Sequence, residues 1–532
     1  MLNVNPFASH VVARLLDFFS SRIAWQRSLW ISGTVLSLRE ILEASEQVAN
    51  GVISKSSLEN VASWAIIAGG RDAGVGDEDR RKQLQKLLRI DDKGDGLAFN
   101  GAQYRSIAIL ASEIEPTYLE RWSNALQAPS AALGPERTAR AIASHLLDAG
   151  FSSGFLHRWW TFKAKYEPGT KSLSEIVHES HELASRQSRQ FETLVAFAQA
   201  PSLKVSQEPL PHWLSNRDVS AWLRQQKFDV SGLRQRGGLT LTLEARDPLL
   251  VAELAAEIID RIITRVNLGS PSYNRLVPIE KVWIAGEREP IPLPVRRRRV
   301  EVHALQRENR IYEVGEFNII DAAMELVAPL DAEPPSSAVA GGWAAIEALL
   351  TGPGDRERVS AADRMASIVA CSFPRAELTS LSYPLEAQGG NIGDQLGACA
   401  NNRDRCEVLV KLIQAGNAPT FPKGTDTAAL ARITVLLAKP ASTLRDVEGH
   451  ISTCFRRLYR HRNIVLHGGK TDAVGLRACL RNAAPLVGAG LDRIAHAWFV
   501  DRLHPLELAA RARLRLDALG TGSGTSALDL LG

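Results

Sequence analysis

Arg462-Asn463-Ile464-Val465-Leu466-His467, inside the longer run Leu458-Tyr459-Arg460-His461-Arg462-Asn463-Ile464-Val465-Leu466-His467-Gly468-Gly469, decides how the C-terminal third of the chain is read. Thr443 and Asp446 fit a capping box, and Val447, Ile451, Cys454, Phe455 and Leu458 recur at helical spacing, which predicts a helix over 443–467. Gly468 and Gly469 end it, because glycine readily takes the left-handed cap conformation. Asn463 and His467 stand four residues apart on one face, which continues backward through Arg460 and Arg456. Arg462, five residues before His467, lies about 140° from it round an ideal helix. The two converge only if the last turn is distorted or a second copy of the helix supplies the partner.

Further helices are expected around this one, over 338–351, 360–372, 401–415, 426–438 and 473–499, with Pro485 kinking or splitting the last. A long glycine-bearing loop is expected over 380–393. Residues 329–340, with Pro334-Pro335-Ser336-Ser337, read as a linker. The tail after Gly520 is glycine-rich without a preceding strand and reads as flexible.

Farther upstream, residues 1–165 read as an N-terminal helical domain broken near 69–76 and 91–96. Gly74-Val75-Gly76 lacks the flanking strand and Gly-Lys-Ser/Thr of a phosphate loop, so an exposed turn is the reading there. Phe155, Trp159, Trp160 and Phe162, with His157, Arg158 and Lys163 among them, suit a core helix or a base-stacking surface. Residues 166–170 then mark a boundary. From about 172 to 328 the pattern changes to a small α+β domain, read as a split βαβ arrangement. Strands are expected over 191–198, 239–245, 282–285 and 300–305, and a helix over 249–266 follows Asp247-Pro248. His178 and His181 are one residue too close for a zinc-protease helix pair, and no third ligand is evident. Arg296-Arg297-Arg298-Arg299 suits either a phosphate contact or a charged edge strand that resists aggregation.

The composition narrows the class of protein. At 532 residues and 45% hydrophobic content the chain holds enough apolar sequence for several cores. A formal charge of +4 does not mark a nucleic-acid binder, so any basic site is local. Cys371, Cys399, Cys406, Cys454 and Cys479 form no C-x-x-C pair, which favours reduced thiols in a cytoplasmic protein over a disulfide scaffold or a zinc site. No uncharged span approaches membrane length. The expected fold class is mainly α with a central α+β domain and a C-terminal all-α bundle.

The residues of the opening stretch suit metal-independent RNA cleavage. Histidine titrates near neutrality and can take the 2′-OH proton or protonate the leaving oxygen. Arginine stays charged and donates in a fork that fits phosphate oxygens, so it suits the transition state. Asparagine can orient a phosphate or ribose hydroxyl. Arg462, Asn463 and His467, with Arg456, Arg457 and Arg460 one or two turns behind as RNA-binding candidates, form such a set. The plainer alternative is an arginine and a histidine on an ordinary bundle helix.

Residues 459–469 resemble the R-x-x-x-x-H motif of the HEPN superfamily, in its form with Asn after Arg, and most resemble the Apea-like HEPN domains. Trp343-Ala344-Ala345-Ile346-Glu347-Ala348-Leu349-Leu350 and Arg364-Met365-Ala366 resemble that family's upstream helices. The resemblance covers about 335–505 and places a HEPN domain at 335–520, with 521–532 as a tail. It implies an all-helical bundle that dimerises and sets two motifs in one cleft, acting as an endoribonuclease in toxin, abortive-infection or phage-defence systems. By that resemblance Arg462 and His467 are catalytic, Asn463 supports them, Glu347 and Arg364 are structural, and neither metal nor cofactor is needed. RNA is the implied partner, and residues 1–330 are left to sense a phage trigger or regulatory protein. The alternative within the family is a non-catalytic HEPN module that binds RNA or dimerises in a larger defence complex.

Overall fold

A computed structural model describes residues 6–90, 97–127, 133–166, 171–201, 212–271, 275–313, 315–521 and 526–531. The chain is mainly helical, with one small antiparallel sheet in its middle region and an all-helical C-terminal region among the described residues. Two compact units form. The larger comprises Met1–Asp148, Trp160–His181 and Arg297–Gly532, and the smaller comprises Ala149–Trp159 and Glu182–Arg296.

In the larger unit the helices that matter for the site are α1 (Pro6–Phe19), α2 (Thr34–Ala49), α3 (Lys55–Gly69), α4 (Pro135–Asp148), α5 (Ile319–Ala332), α6 (Pro335–Leu350), α7 (Ser360–Glu386), α8 (Gly424–Ala438), α9 (Pro440–Gly468), α10 (Leu476–Phe499) and α11 (Pro505–Ala518). Helix α9 packs on α3, α6, α7, α8, α10 and α11, and α7 packs on α6, α8, α9, α10 and α11. The apolar residues predicted to face the core do so: Val447, Ile451, Cys454, Phe455 and Leu458 are all buried. The helix starts three residues before Thr443, at Pro440, where proline's missing N–H is no loss. Thr443 therefore lies inside the helix instead of capping it.

Residues 1–148 belong to the same unit as 335–520, whereas 149–159 belong to the smaller one, so the expected N-terminal domain 1–165 is not a body of its own. Helix α1 packs on α4 and α8. Buried charges tie the two ends of the sequence together, with Arg27 Nη1 2.8 Å from Asp426 Oδ1. Gln26 Nε2 donates to Ser380 Oγ at 2.7 Å. The linker expected over 329–340 is a tight helical hairpin instead, with Pro329 inside α5 and Pro335 opening α6. Helix α7 runs through the loop expected over 380–393 as far as Glu386, with Pro374 and Pro384 inside it. Interior proline ordinarily breaks a helix. Here the core on both sides of Pro374, from Met365 to Leu385, is buried and keeps the helix going. Helix α10 likewise carries Pro485 without splitting.

In the smaller unit the described residues form six strands: β1 (Arg189–Gln199), β2 (Trp213–Leu214), β3 (Gly238–Ala245), β4 (Val277–Pro278), β5 (Lys281–Ile284) and β6 (Ile291–Pro292). Their order is β2-β3-β1-β5-β6, with β4 also on β1, and every pairing is antiparallel. Strands β3 and β5 both run antiparallel to β1, which lies between them, so they are parallel to each other, and the helix Pro248–Gly269 connects them: this is the split βαβ arrangement expected from the sequence. Strand β1 is central and buried on both faces. Phe191, Val195 and Phe197 pack with Val251, Ala255 and Ile259 of the helix Pro248–Gly269, while Leu194 and Ala196 pack with Val219, Trp222 and Leu223. Asp247 caps that helix by accepting from Leu250 N at 2.9 Å, and also accepts from Ser152 N at 2.8 Å.

The strand expected over 300–305 is absent. The backbone N–H groups of Arg298 and Arg299 instead donate to Asp331 at 2.9 and 2.8 Å, and residues 304–307 make a short helix. Arg297 Nη1 pairs with Asp331 Oδ2 at 2.6 Å and Arg298 Nη1 donates to the carbonyls of Leu330 and Glu333. The arginine run is therefore not an edge strand, and its four side chains are engaged: Arg297 and Arg298 at the end of α5, Arg296 with Asp260, and Arg299 with Glu301 and the carbonyl of Ile23. The boundary expected over 166–170 and the break over 91–96 fall mostly outside the described residues. The final segment is docked where it is described: Leu530 is buried and Asp529 Oδ1 accepts from Arg403 Nε at 2.7 Å. Among the described residues no helix is long and apolar enough to cross a membrane.

Candidate active site

Helix α9 remains helical through Gly468, and the left-handed residue is Gly469, with φ +65°. The Gly469 N–H donates back to Ile464 O, closing the helix as a glycine cap does. No distortion precedes Gly468, and no second copy is required to bring the pair together. The arginine side chain itself spans the angular gap: Arg462 Nη1 donates to His467 Nε2 at 3.0 Å and to Asn463 Oδ1 at 2.9 Å. Arginine has no acceptor, so His467 Nε2 offers its lone pair and the ring hydrogen sits on Nδ1. His467 is exposed, Arg462 half-buried and Asn463 buried.

The arginines behind this pair have other tasks. Arg457 and Arg460 are buried and both meet Glu40 of α2, Arg460 Nη2 at 2.6 Å from Oε2 and Arg457 bonded to Oε1. Phosphate cannot reach them, so the RNA-binding role expected of Arg457 and Arg460 is replaced by a structural one. Arg456 is one-third exposed, but its guanidinium is engaged by Asp363, at 2.9 and 2.5 Å, and by Asn60 Oδ1 at 2.6 Å. Along residues 456–462, Arg462 meets no carboxylate among the described residues.

Glu40 is only 2% exposed. Burial alone would raise its carboxyl, but Arg457, His461 and Arg460 outweigh that and hold it down at about 2. Burial pushes His461 down to about 4, against the pull of Glu40, whose Oε1 lies 3.7 Å from His461 Nε2. That distance is too long for a hydrogen bond. Beside this cluster Gly475 takes φ +76°, and a Cβ there would stand 1.9 Å from Glu40 Oε1. Burial raises the neighbouring Cys479 thiol to about 12, so it stays protonated.

Glu347 and Arg364 face the bundle's internal joints. Glu347 Oε2 accepts from Trp343 Nε1 at 2.7 Å, and Trp343 packs on Tyr459 of α9 with ring centroids 4.7 Å apart. Arg364 grips Asp355, with Nη2 2.7 Å from Oδ1, and donates to Leu350 O at 2.7 Å. Glu40 and Asp363, which decide which arginines are free, were not singled out from sequence. Each is an acidic residue on an amphipathic helix, and nothing local distinguishes it from its neighbours. His178 and His181 lie on the helix Leu173–Ala184, and no cluster suited to hold a metal occurs among the described residues.

The geometry supplies a fixed cation, a neutral imidazole and an amide at one exposed helix end. That set can bind a phosphate oxygen and move one proton. Comparison with protein-family models, with curated proteins and with solved structures finds no match.

Proposed function

We propose that the chain is a metal-independent endoribonuclease of HEPN type, a toxin or phage-defence effector that works as a dimer and leaves a 2′,3′-cyclic phosphate. The observation that carries this reading is Arg462. Its guanidinium is half-buried, held by neutral Asn463 and His467, and met by no carboxylate among the described residues, whereas its neighbours Arg456, Arg457 and Arg460 are all neutralised. A charge kept without a counter-ion suits an anionic ligand, and the fork of Arg462 suits a phosphate.

In the resting arrangement the lone pair of His467 Nε2 is occupied by Arg462. A scissile phosphate that draws the guanidinium onto its oxygens frees Nε2. The 2′-OH then gives its proton to Nε2 while its oxygen forms a bond to phosphorus. The bond from phosphorus to the 5′ oxygen breaks, and that oxygen takes the proton from His467 Nε2, now imidazolium, which returns the histidine to its neutral form. Asn463, released by Arg462, orients a phosphate or ribose hydroxyl. The proposed setting is the cytoplasm, where the five free cysteines stay reduced.

The test is incubation of purified wild type, Arg462→Ala and His467→Ala with mixed RNA in EDTA, followed by end-group analysis. Wild type should generate 2′,3′-cyclic phosphate ends and both variants none, with unchanged melting. Equal cleavage by all three overturns the reading. RNA binding by wild type without new ends would support the non-catalytic module instead.

A further inference from the structure

Within the larger unit, residues of α1, α4, α7, α8 and α9 enclose a cavity of about 350 Å³, within the range of roughly 300–1,000 Å³ common for small-molecule sites. It includes His450 of α9. Its charge is unevenly satisfied. Glu136 is the one carboxylate lining it among the described residues, and four basic groups share that carboxylate. His10 Nε2 and Arg14 Nε each lie 2.9 Å from Oε1, Arg432 lies at 3.3 Å and Arg140 at 3.9 Å. Arg14 and Arg432 each have a second carboxylate, Asp17 at 2.5 Å and Glu377 at 2.6 Å. Arg140 has no second carboxylate among the described residues, and its contact with His450 Nε2 is 3.5 Å long.

Two buried donors on the lining also lack acceptors, Arg432 Nε and His450 Nδ1. Burial, with Arg140 beside it, pushes His450 down to about 3, so its ring is neutral at physiological pH. With Arg140 donating to Nε2, the ring hydrogen sits on Nδ1, where no oxygen or nitrogen accepts it among the described residues. Buried donors are ordinarily paired. A weakly paired guanidinium on the cavity, with two unsatisfied N–H groups buried within its lining side chains, leaves the site short of acceptors, and an anion supplies several. The orphan carboxylate oxygen of Glu377 does not line the cavity. Opposite in character are Trp30 and Phe373, which also line it and meet edge to face at 5.7 Å.

We propose that this cavity binds a small anion carrying an aromatic ring, its anionic group held by Arg140, Arg432 and His450 and its ring packed against Trp30 and Phe373. Nucleoside monophosphates and simple aryl phosphates share that chemistry. Because His450 belongs to α9, the ligand would sit on the helix that carries Arg462 and His467. Any effect on RNA cleavage rests on the ribonuclease reading, whereas binding itself does not.

The experiment is calorimetric titration of the full chain, without RNA, using AMP, phenyl phosphate, inorganic phosphate and adenosine. AMP or phenyl phosphate should bind at least tenfold more tightly than inorganic phosphate or adenosine, and the tighter of the two identifies the source. Arg140→Ala should weaken that binding at least tenfold. Val435 lines the cavity yet is 58% exposed, so changes there spare the fold. Val435→Glu should weaken binding at least fivefold and Val435→Lys should not, which decides the matter even if Arg140→Ala fails to fold. Absence of binding by all four probes at millimolar concentration overturns the proposal, as does binding indifferent to Val435→Glu and Arg140→Ala, or inorganic phosphate binding as tightly as the aryl phosphates.

Discussion

Glu40→Gln tests whether the buried charge cluster holds α2 to α9. The substitution keeps the size of the side chain and removes its charge, leaving Arg457 and Arg460 buried without a counter-ion. Breaking a buried ion pair from one side costs about 3–5 kcal/mol. The shifted acidity gives an independent figure: a carboxyl ordinarily near 4.5 and held at about 2 corresponds to about 3 kcal/mol, at 1.36 kcal/mol per tenfold change in proton affinity. The two figures agree. At pH 7.5 the urea transition of the larger unit should therefore move by about 3 kcal/mol. Adding Arg457→Met to Glu40→Gln should recover part of the loss, because it removes an unpaired buried cation. A loss below about 1 kcal/mol for Glu40→Gln, or an Arg457→Met effect that simply adds to it, would refute the idea that Glu40 and Arg457 are one unit.

The same cluster sets the acid response. Both folded-state values are depressed, His461 to about 4 and Glu40 to about 2, so stability is present at neutral pH and is lost as pH falls, first between about 6.5 and 4 through His461 and then between about 4.5 and 2 through Glu40. Denaturation midpoints from pH 7.5 down to 4 should decline in wild type and decline less in His461→Asn. Gly475→Ala combines a left-handed conformation, costing about 1–2 kcal/mol, with a clash against Glu40 worth about 1–3 kcal/mol, so a loss near 3 kcal/mol should appear in the same assay. Arg462→Lys should fail to rescue cleavage although it keeps the charge, because lysine lacks the fork that meets Asn463 and His467 together; end-group analysis at pH 7.5 decides this.

Periodicity placed β1, β3 and β5, the helix after Asp247 and the buried stripe of α9, because each depends on a local repeat of apolar residues. It failed at α7, where Pro374 and Pro384 signal a break that tertiary burial overrides. It failed again at 300–305, where Asp331 takes the Val300 N–H at the head of the expected strand and residues 304–307 turn into a short helix. The closeness of Arg462 and His467 was misjudged because angular position describes Cα atoms, and a long guanidinium stem reaches round the helix. The division of labour among the arginines was illegible for a different reason. Glu40 lies 417 residues from Arg457 in sequence, and only the folded chain brings a buried carboxylate to those arginines while leaving Arg462 without one.

Those separate assignments meet on one rigid element. His450, Arg457 with Arg460, and Arg462 with His467 succeed one another along α9, and twelve residues from His450 to Arg462 span about 18 Å at 1.5 Å per residue. An uninterrupted helix transmits displacement along its axis and not by bending, so a ligand at His450 would alter the Arg462 end by shifting how α9 seats on its neighbours. A charged seat close to that end is Glu40 on α2, a single carboxylate clamping two arginines of α9. Coupling between distant sites requires an element with two arrangements whose balance both sites bias. The Glu40 clamp is where such a pair of arrangements would differ in energy, since opening it uncovers three buried charges together. Weakening the clamp with Glu40→Asp, which keeps the charge and shortens the reach, should therefore change the response of RNA cleavage to the cavity ligand while leaving Arg462 and His467 themselves intact. An unchanged response in that variant, with ligand binding and cleavage both preserved, would show that α9 does not carry the signal.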